Sequence, residues 1–203
     1  MSTPSDTVLV AQAQAGCGSA LSALLERYDR SAYAIAFRMM GNHADASDAA
    51  QEALLRVFTS LHNFQGNSAF STWLYRIVTN SCLDALRRRS RSRLQSMEEQ
   101  AVAIEVDDLL SHEAEISASP ADRAEERELQ AAVQRAIDLL PAEYKAVVIL
   151  RDIQGYSYPE IAEIMATSIG TIKSRLFRAR RALRAILVVN EPATAAEFHP
   201  VAS

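Results

Sequence analysis

Residues 157–187, SYPEIAEIMATSIGTIKSRLFRARRALRAIL, constrain the fold more than any other part of the chain. Apolar residues recur every three or four positions on both sides of a four-residue break, TSIG. That period belongs to helices, not strands. The segment therefore reads as a short helix, a tight turn and a longer helix. Its second helix is strongly basic, since KSRLFRARRALR (173–184) contains no acid. Two helices about a short turn, the second of them basic, form the helix-turn-helix pattern, which lays its second helix in the DNA major groove.

Projection of 170–187 at 100° per residue tests that reading. Ile172, Leu176, Ala179, Leu183 and Ile186 fall in one stripe, expected to pack on Ile161, Ile164 and Met165. The opposite face collects Gly170, Ser174, Phe177, Arg178 and Arg181, flanked by Lys173, Arg175 and Arg184. No second apolar stripe exists to bury Phe177. In a major groove Arg178 would bond a guanine edge, Ser174 a base, and Phe177 would lie against a thymine methyl or sugar. The flanking cations would meet phosphates.

The rest of the chain is also helical in character. Its 203 residues are 49% apolar, with only six Gly and six Pro, a composition that builds packed cores and favours helix. Net charge is −4, but the average conceals segregation. RRRSRSR (87–93) and 173–184 are basic, whereas MEEQAVAIEVDDLLSHEAEISASPADRAEERE between them is acidic. The expected fold is all-α, with two small helical domains, 5–92 and 125–188. A flexible acidic linker (93–124) joins them, with a short helical piece near Val106–Leu110, and 189–203 is a frayed tail.

The first block reads as four helices: one from Ser5 or Asp6 to Gly16, one opened by Ser19 and broken at Gly41–Asn42, a third over 44–61 and a fourth over 68–89. Asn67 or Ser68 is the expected N-cap of the fourth. In the third, Ala50, Leu54, Val57, Phe58 and Leu61 share one face, and Asp45, Asp48, Gln51, Glu52 and Arg56 the other. In the second block, Pro141 suits a first helical turn and Gly155 ends that helix.

FQGNSAFSTWLYRIVTN (64–80) gathers aromatics in a chain only 6% aromatic. Phe70, Leu74, Ile77, Val78 and Ser81 project to a buried side, and Trp73, Arg76, Asn80 and Arg87 to an adjacent stripe. For Phe70 or Trp73 taken singly, a place in the core is the default. Together with Phe64, the Gly66–Asn67–Ser68 loop and the arginines downstream, they offer π-faces, amides and guanidinium groups. Those are the parts that hold single-stranded nucleic acid or a base pulled from a duplex.

These residues resemble a known family. DASDAAQEALLRVFTSLHNFQGNSAFSTWLYRIVTNSCLDALRRR resembles the second conserved region of extracytoplasmic function (ECF) sigma factors, and LPAEYKAVVILRDIQGYSYPEIAEIMATSIGTIKSRLFRAR resembles their fourth. The resemblance covers about 5–92 and 125–187, in the family's order. It implies a dissociable subunit of bacterial RNA polymerase that directs promoter-specific initiation. It further implies that Asp45, Asp48, Gln51 and Glu52 dock on the coiled coil of the polymerase beta-prime subunit. Phe64, Asn67, Ser68, Phe70, Trp73, Arg76, Asn80 and Arg87 would melt and read the −10 element. Thr171, Lys173, Ser174, Arg175, Phe177, Arg178 and Arg181 would read the −35 element, with the start of that helix also meeting the beta flap. Asn67 stands where relatives commonly carry an acid and Gln65 where they often carry Arg, so the −10 preference is expected to differ. The resemblance also implies an anti-sigma protein as a restraining partner, which would hold the otherwise cytoplasmic chain at the membrane.

Other classes find little support. The alternative is a stand-alone helix-turn-helix regulator, which would need a ligand pocket or dimer seam that the sequence does not offer. No apolar run approaches the ~20 residues of a membrane span, and no export signal opens the chain, so direct membrane insertion is not expected. His43, His62, His112 and His199 are scattered, and no phosphate loop or nucleophile–base pair stands out. No enzymatic activity, small-molecule substrate, metal or cofactor is expected. Cys17 and Cys82 lack ligand spacing and read as buried, reduced thiols.

Overall fold

A computed structural model describes residues 4–97 and 120–190, with side chains over 4–91 and 128–188. Residues 98–119 and 191–203, and with them most of the expected linker and tail, lie outside the described residues. The described chain is helical in both blocks. The first holds α1 (Asp6–Gln14), α2 (Gly18–Met40), α3 (His43–Ser60), a single 3₁₀ turn (Leu61–Asn63) and α4 (Phe70–Met97). The second holds α5 (Pro120–Asp138), α6 (Ala142–Val148), α7 (Tyr158–Ile164) and α8 (Ile169–Asn190). Helices α4 and α5 run past the expected block edges, to Met97 and back to Pro120.

Local chemistry sets the boundaries. Helix α2 ends where Gly41 turns left-handed at φ +79° and its N–H closes on the Phe37 carbonyl. Asn42 caps α3, accepting from the Asp45 N–H at 2.9 Å and donating back to the Asp45 carboxylate at 2.8 Å. The buried face of α3 is built from Ala46, Ala49, Ala50, Ala53 and Val57, small residues that let α2 and α4 pack closely on it. Phe58 departs from the expected buried face and is 62% exposed, alongside Leu55. Alanines already fill the interior side, so the two bulkier residues stand outside it.

Helix α4 starts at Phe70, two residues later than expected. The first helical bond runs from the Trp73 N–H to the Ala69 carbonyl, so neither Asn67 nor Ser68 caps it. Gly66 takes φ +72° in the preceding loop, a conformation that favours glycine. In the second block Pro141 precedes α6, which continues into a π-turn over Ile149–Ile153 before Gly155 reverses the chain at φ +79°. A capping box starts α7: Ser157 Oγ meets the Glu160 N–H while Glu160 accepts from the Ser157 N–H at 2.8 Å. The Thr171 N–H donates to Ser168 Oγ at 3.1 Å and so fixes the first turn of α8.

The two blocks do not stand apart. Helices α6 and α7 lie against α4, and α5 and α6 against α2. One continuous set of buried apolar residues runs from Leu24, Ile35 and Leu74 to Ile149, Leu150, Ile161 and Leu176. Tyr75 and Tyr156 meet across the junction with ring centroids 5.5 Å apart.

Candidate nucleic-acid interface

The two-sided α8 is as projected. Ile172, Leu176 and Ala179 are buried, Leu183 and Ile186 half-buried, and they share the interior with Ile161, Ile164 and Met165. The outer side exposes Lys173, Ser174, Phe177, Arg178 and Arg181, with Phe177 70% exposed. No hydrogen bond or ion pair with a described residue engages Arg178 or Arg181. A shallow groove beside them is lined by Tyr158, Lys173, Phe177, Arg180, Arg181 and Arg184. Lys173 and Arg151 both sit over the Tyr158 ring, at 5.9 and 5.0 Å. Arg180 is turned away into an ion pair with Asp152. Thr171 and Arg175 are half-buried, and Arg175 reaches Glu143 at 3.1 Å.

The aromatic corner divides by depth. Phe70 is 4% exposed and packs on Tyr28 at 5.6 Å, so it forms the floor of the corner. Phe64 and Trp73 lie over it, 5.9 and 5.8 Å from its ring and 5.1 Å from each other, both half-buried. Asn67 and Asn80 are exposed and Ser68 half-buried. Gln14 of α1 donates to the carbonyls of Leu61 and Phe64 at 2.9 and 2.8 Å, tying the loop to the bundle. Nothing in the local pattern around Gln14 announces that role. The result is an apolar shelf of two partly open rings over the Phe70 floor. Partly open aromatic faces are the kind of surface on which unstacked bases stack.

The cations along α4 are engaged. Arg76 donates to the Glu163 carbonyl at 3.0 Å, and Arg87 pairs with Glu143 at 2.6 Å. Arg88 pairs with Glu52 at 3.3 Å and Arg89 with Asp45 at 2.9 Å. The acidic stripe of α3 is thereby split. Asp48 and Gln51 face outward beside Leu55 and Phe58, whereas Asp45 and Glu52 are tied back toward α4.

Among the described residues no group of His, Cys, Asp or Glu is arranged to hold a metal ion, and no helix is long and apolar enough to cross a membrane. Of the two cysteines expected to be buried, Cys82 is and Cys17 is not. Cys82 is buried, and burial, then the Glu52 charge, pushes its thiol up to about 12. Cys17 is exposed, because it precedes α2 after the Gly16 turn. A hydrogen bond from Ser19, then one from the Ala20 backbone, lowers its pKa.

Comparison with known proteins accounts for this arrangement. Residues 24–92 match the model of Sigma-70 region 2 and residues 130–183 that of Sigma-70 region 4. The chain is 37% identical over 180 residues to the ECF RNA polymerase sigma-E factor of Escherichia coli, covering 88% of this chain and 92% of that one. It is 33% identical over 175 residues to the ECF RNA polymerase sigma factor SigW of Bacillus subtilis, covering 86% and 92%. Against SigE of Mycolicibacterium smegmatis the identity is 37% over 172 residues, and the chain spans 63% of that relative's length. Two solved structures superpose with a TM-score of 0.62. The sigma factor RpoE in complex with the anti-sigma factor NepR from Bartonella quintana is 26% identical, covering 82% of this chain and 96% of that one. CnrH in complex with the cytosolic domain of CnrY is 25% identical, covering 92% and 99%. Two sigma-70 regions in sequence order on a helical fold shared with solved sigma factors place this chain in the family of ECF RNA polymerase sigma factors.

Proposed function

We propose that the chain gives RNA polymerase its promoter choice through three separate surfaces. Asp48 and Gln51, with Asp45 and Glu52 behind them, dock on the beta-prime coiled coil of the core enzyme. Phe64, Asn67, Ser68, Trp73 and Asn80 capture a base extruded from the −10 element over the Phe70 floor, and Arg76 and Arg87 follow the backbone. Thr171, Lys173, Ser174, Arg175, Phe177, Arg178 and Arg181 read the −35 element, and the start of α8 meets the beta flap. The working regions are 5–92 and 125–188, joined by the acidic stretch 93–124. The chain works in the cytoplasm under the restraint of an anti-sigma protein. The complexes of RpoE with NepR and of CnrH with CnrY support that last assignment.

One observation carries the reading: α8 leaves Phe177 70% exposed beside Arg178 and Arg181, which have no partner among the described residues, on a helix whose other face packs on the core. Water is a costly place for that ring, and a major groove covers it. The process needs no covalent step. Unstacking costs a few kcal/mol per base step, offset by base capture and phosphate contacts. Tethering both regions to one polymerase turns two weak contacts into a strong one.

Run-off transcription with purified bacterial core polymerase tests this. A promoter-specific transcript should appear only when the chain is added. A chain that yields no transcript, but binds duplex promoter tightly and specifically alone, would instead be a stand-alone regulator.

A further inference from the structure

Helix α1 carries none of the residues assigned above to nucleic acid or polymerase, yet it holds the aromatic corner from two sides. Its N-terminal end is pinned to α2. Asp6 accepts from the Arg27 guanidinium and from the Tyr28 hydroxyl, and Arg27 also donates to the Pro4 carbonyl at 2.8 Å. Leu9 and Val10 are buried behind that anchor. Tyr28 is the ring on which Phe70, the floor of the corner, packs at 5.6 Å. The C-terminal end of α1 carries Gln14, whose carboxamide nitrogen bears two donor hydrogens. That nitrogen lies 2.9 and 2.8 Å from the Leu61 and Phe64 carbonyls, which bracket the 3₁₀ turn.

The place of those acceptors in the chain gives Gln14 its leverage. The Phe64 carbonyl is the last backbone group held before the loop. Among the described residues, Gln65, Gly66, Asn67 and Ser68 make no hydrogen bond to the bundle, and Asn67 bonds only Gln65, at 3.2 Å. The chain is next held at the Ala69 carbonyl, where α4 starts. The Phe64 ring lies 5.1 Å from Trp73, a spacing set by where the Phe64 backbone is fixed. Gln14 itself is exposed and fills no core space, so its contribution is the two bonds.

We propose that Gln14 is a positioning residue for base capture: from a helix pinned by Asp6 and Tyr28, it holds the Phe64 backbone so that the Phe64–Trp73 shelf is set before DNA arrives. Ordering these groups in advance removes that cost from the binding step. The inference rests on the base-capture role proposed above for Phe64 and Trp73, whereas the effect of Gln14 on the shelf does not depend on it.

Two variants of the full chain test this. Gln14→Ala removes both donors without loss of helix propensity, and Gln14→Lys supplies donors again on a side chain of similar reach. Trp73 is the chain's only tryptophan, so its emission reports on the shelf directly. In the free chain, emission of Gln14→Ala should shift to the red of wild type with circular dichroism unchanged, because Phe64 no longer screens the indole. Gln14→Lys should stay at the wild-type position. The second measurement uses holoenzyme assembled with purified core polymerase. Its probe is a fluorescent single-stranded oligonucleotide carrying the −10 element of a transcribed promoter, with a set in which each base in turn is replaced by an abasic site. Gln14→Ala should bind the intact oligonucleotide about fivefold or more weakly, the size expected from two modest hydrogen bonds. The gap should close on the abasic oligonucleotide that lacks the captured base, since a shelf with nothing to hold gains nothing from being set. A general folding defect would weaken every oligonucleotide alike.

Unshifted emission in a folded Gln14→Ala overturns the proposal. So does an affinity gap that persists undiminished across the abasic set, or a Gln14→Lys that behaves as Gln14→Ala. A wild-type affinity indifferent to every abasic site would instead remove base capture, the functional reading, while leaving the emission result in place.

Discussion

The outer face of α8 and the cation row of α4 carry similar side chains and are treated very differently by the fold. On α8, Arg178 and Arg181 are exposed, with no partner among the described residues, beside an exposed Phe177. On α4, Arg76, Arg87, Arg88 and Arg89 are all engaged, the first two by the other half of the chain. The difference lies in what faces each helix. Helix α8 is a C-terminal element with one side on its own core and the other open. Helix α4 is central, with α2 and α3 on one flank and α6 and α7 on another. A basic residue on α4 therefore meets protein acceptors, whereas one on α8 has to find its counter-charge elsewhere.

The strongest way to break this comparison is to ask whether the halves share one interior. Leu176 is 2% exposed and belongs to the continuous apolar set. Leu176→Ala should cost about 2–5 kcal/mol. Hydrogen-exchange protection at the end of α2 should fall together with that of α8. Loss confined to α5–α8, with α2 untouched, would show two independently stable bodies and void the shared-interior description.

Next in size is the contrast between the two arginines. Arg178→Ala should cost about 1–3 kcal/mol in discrimination between −35 sequences. Because Arg178 is exposed and unpartnered, stability of the free chain should stay within about 0.5 kcal/mol of wild type. Arg76→Ala should change both readouts, since its guanidinium bonds a backbone carbonyl of α7. Transcription from promoters with substituted −35 elements, set beside thermal scans, checks the pair. Equal stability effects at the two positions would dissolve the distinction between an open face and an engaged one.

Legibility in the sequence followed the range of the interactions. The amphipathic period of α8, the TSIG turn and the break after Met40 are local patterns, so the projection placed Leu176 inside and Phe177 outside without knowledge of any neighbour. Gly41 as a terminator is equally local, whereas Asn42 reads in the sequence only as part of the break and the structure adds its cap of α3. Phe58 failed because a helix with alanines on its interior side has no room there for a large ring, and that crowding depends on α2 and α4. The start of α4 failed because Asn67 and Ser68 are plausible caps and the loop geometry around Gly66 decides between candidates. Lys145 was invisible: a lysine in AEYKAVV reads as a solvated flank, and its partners at Met39 and Asp138 are set by the tertiary fold. At the candidate site the residue types were legible, but the depth of Phe70 and the engagement of Arg76, Arg87 and Arg175 were not.

A smaller effect sharpens the view of the C-terminal half. The α7 capping box satisfies two backbone donors through one pair of side chains. Ser157→Ala should cost about 1 kcal/mol at neutral pH. Hydrogen bonds from the Ser157 side chain and then its backbone hold the Glu160 carboxyl below its ordinary pKa. A depressed carboxyl contributes stability that is present above its unfolded pKa and is lost as pH falls through the folded value. The gap between wild type and Ser157→Ala should therefore narrow below about pH 4, the ordinary glutamate range. Denaturant midpoints measured at several pH values check this, and a gap that widens on acidification would contradict it.

The smallest expected effect concerns the cysteines, which the sequence treats alike and the fold separates. Reaction requires the thiolate and access to it. Cys17 is exposed, and the Ser19 hydrogen bond lowers its pKa and so favours the thiolate. Cys82 has neither, being fully buried with a thiol pushed up to about 12. A thiol reagent at pH 7.5 should modify one cysteine promptly and leave helicity and melting temperature unchanged. The second should react only as fast as the interior opens, which makes Cys82 a reporter of the N-terminal core. Under denaturant the two rates should converge. If Cys82 reacted promptly in the folded chain, α4 would not be packed between α2 and α3, and the contrast between its engaged cations and the open face of α8 would lose its structural basis.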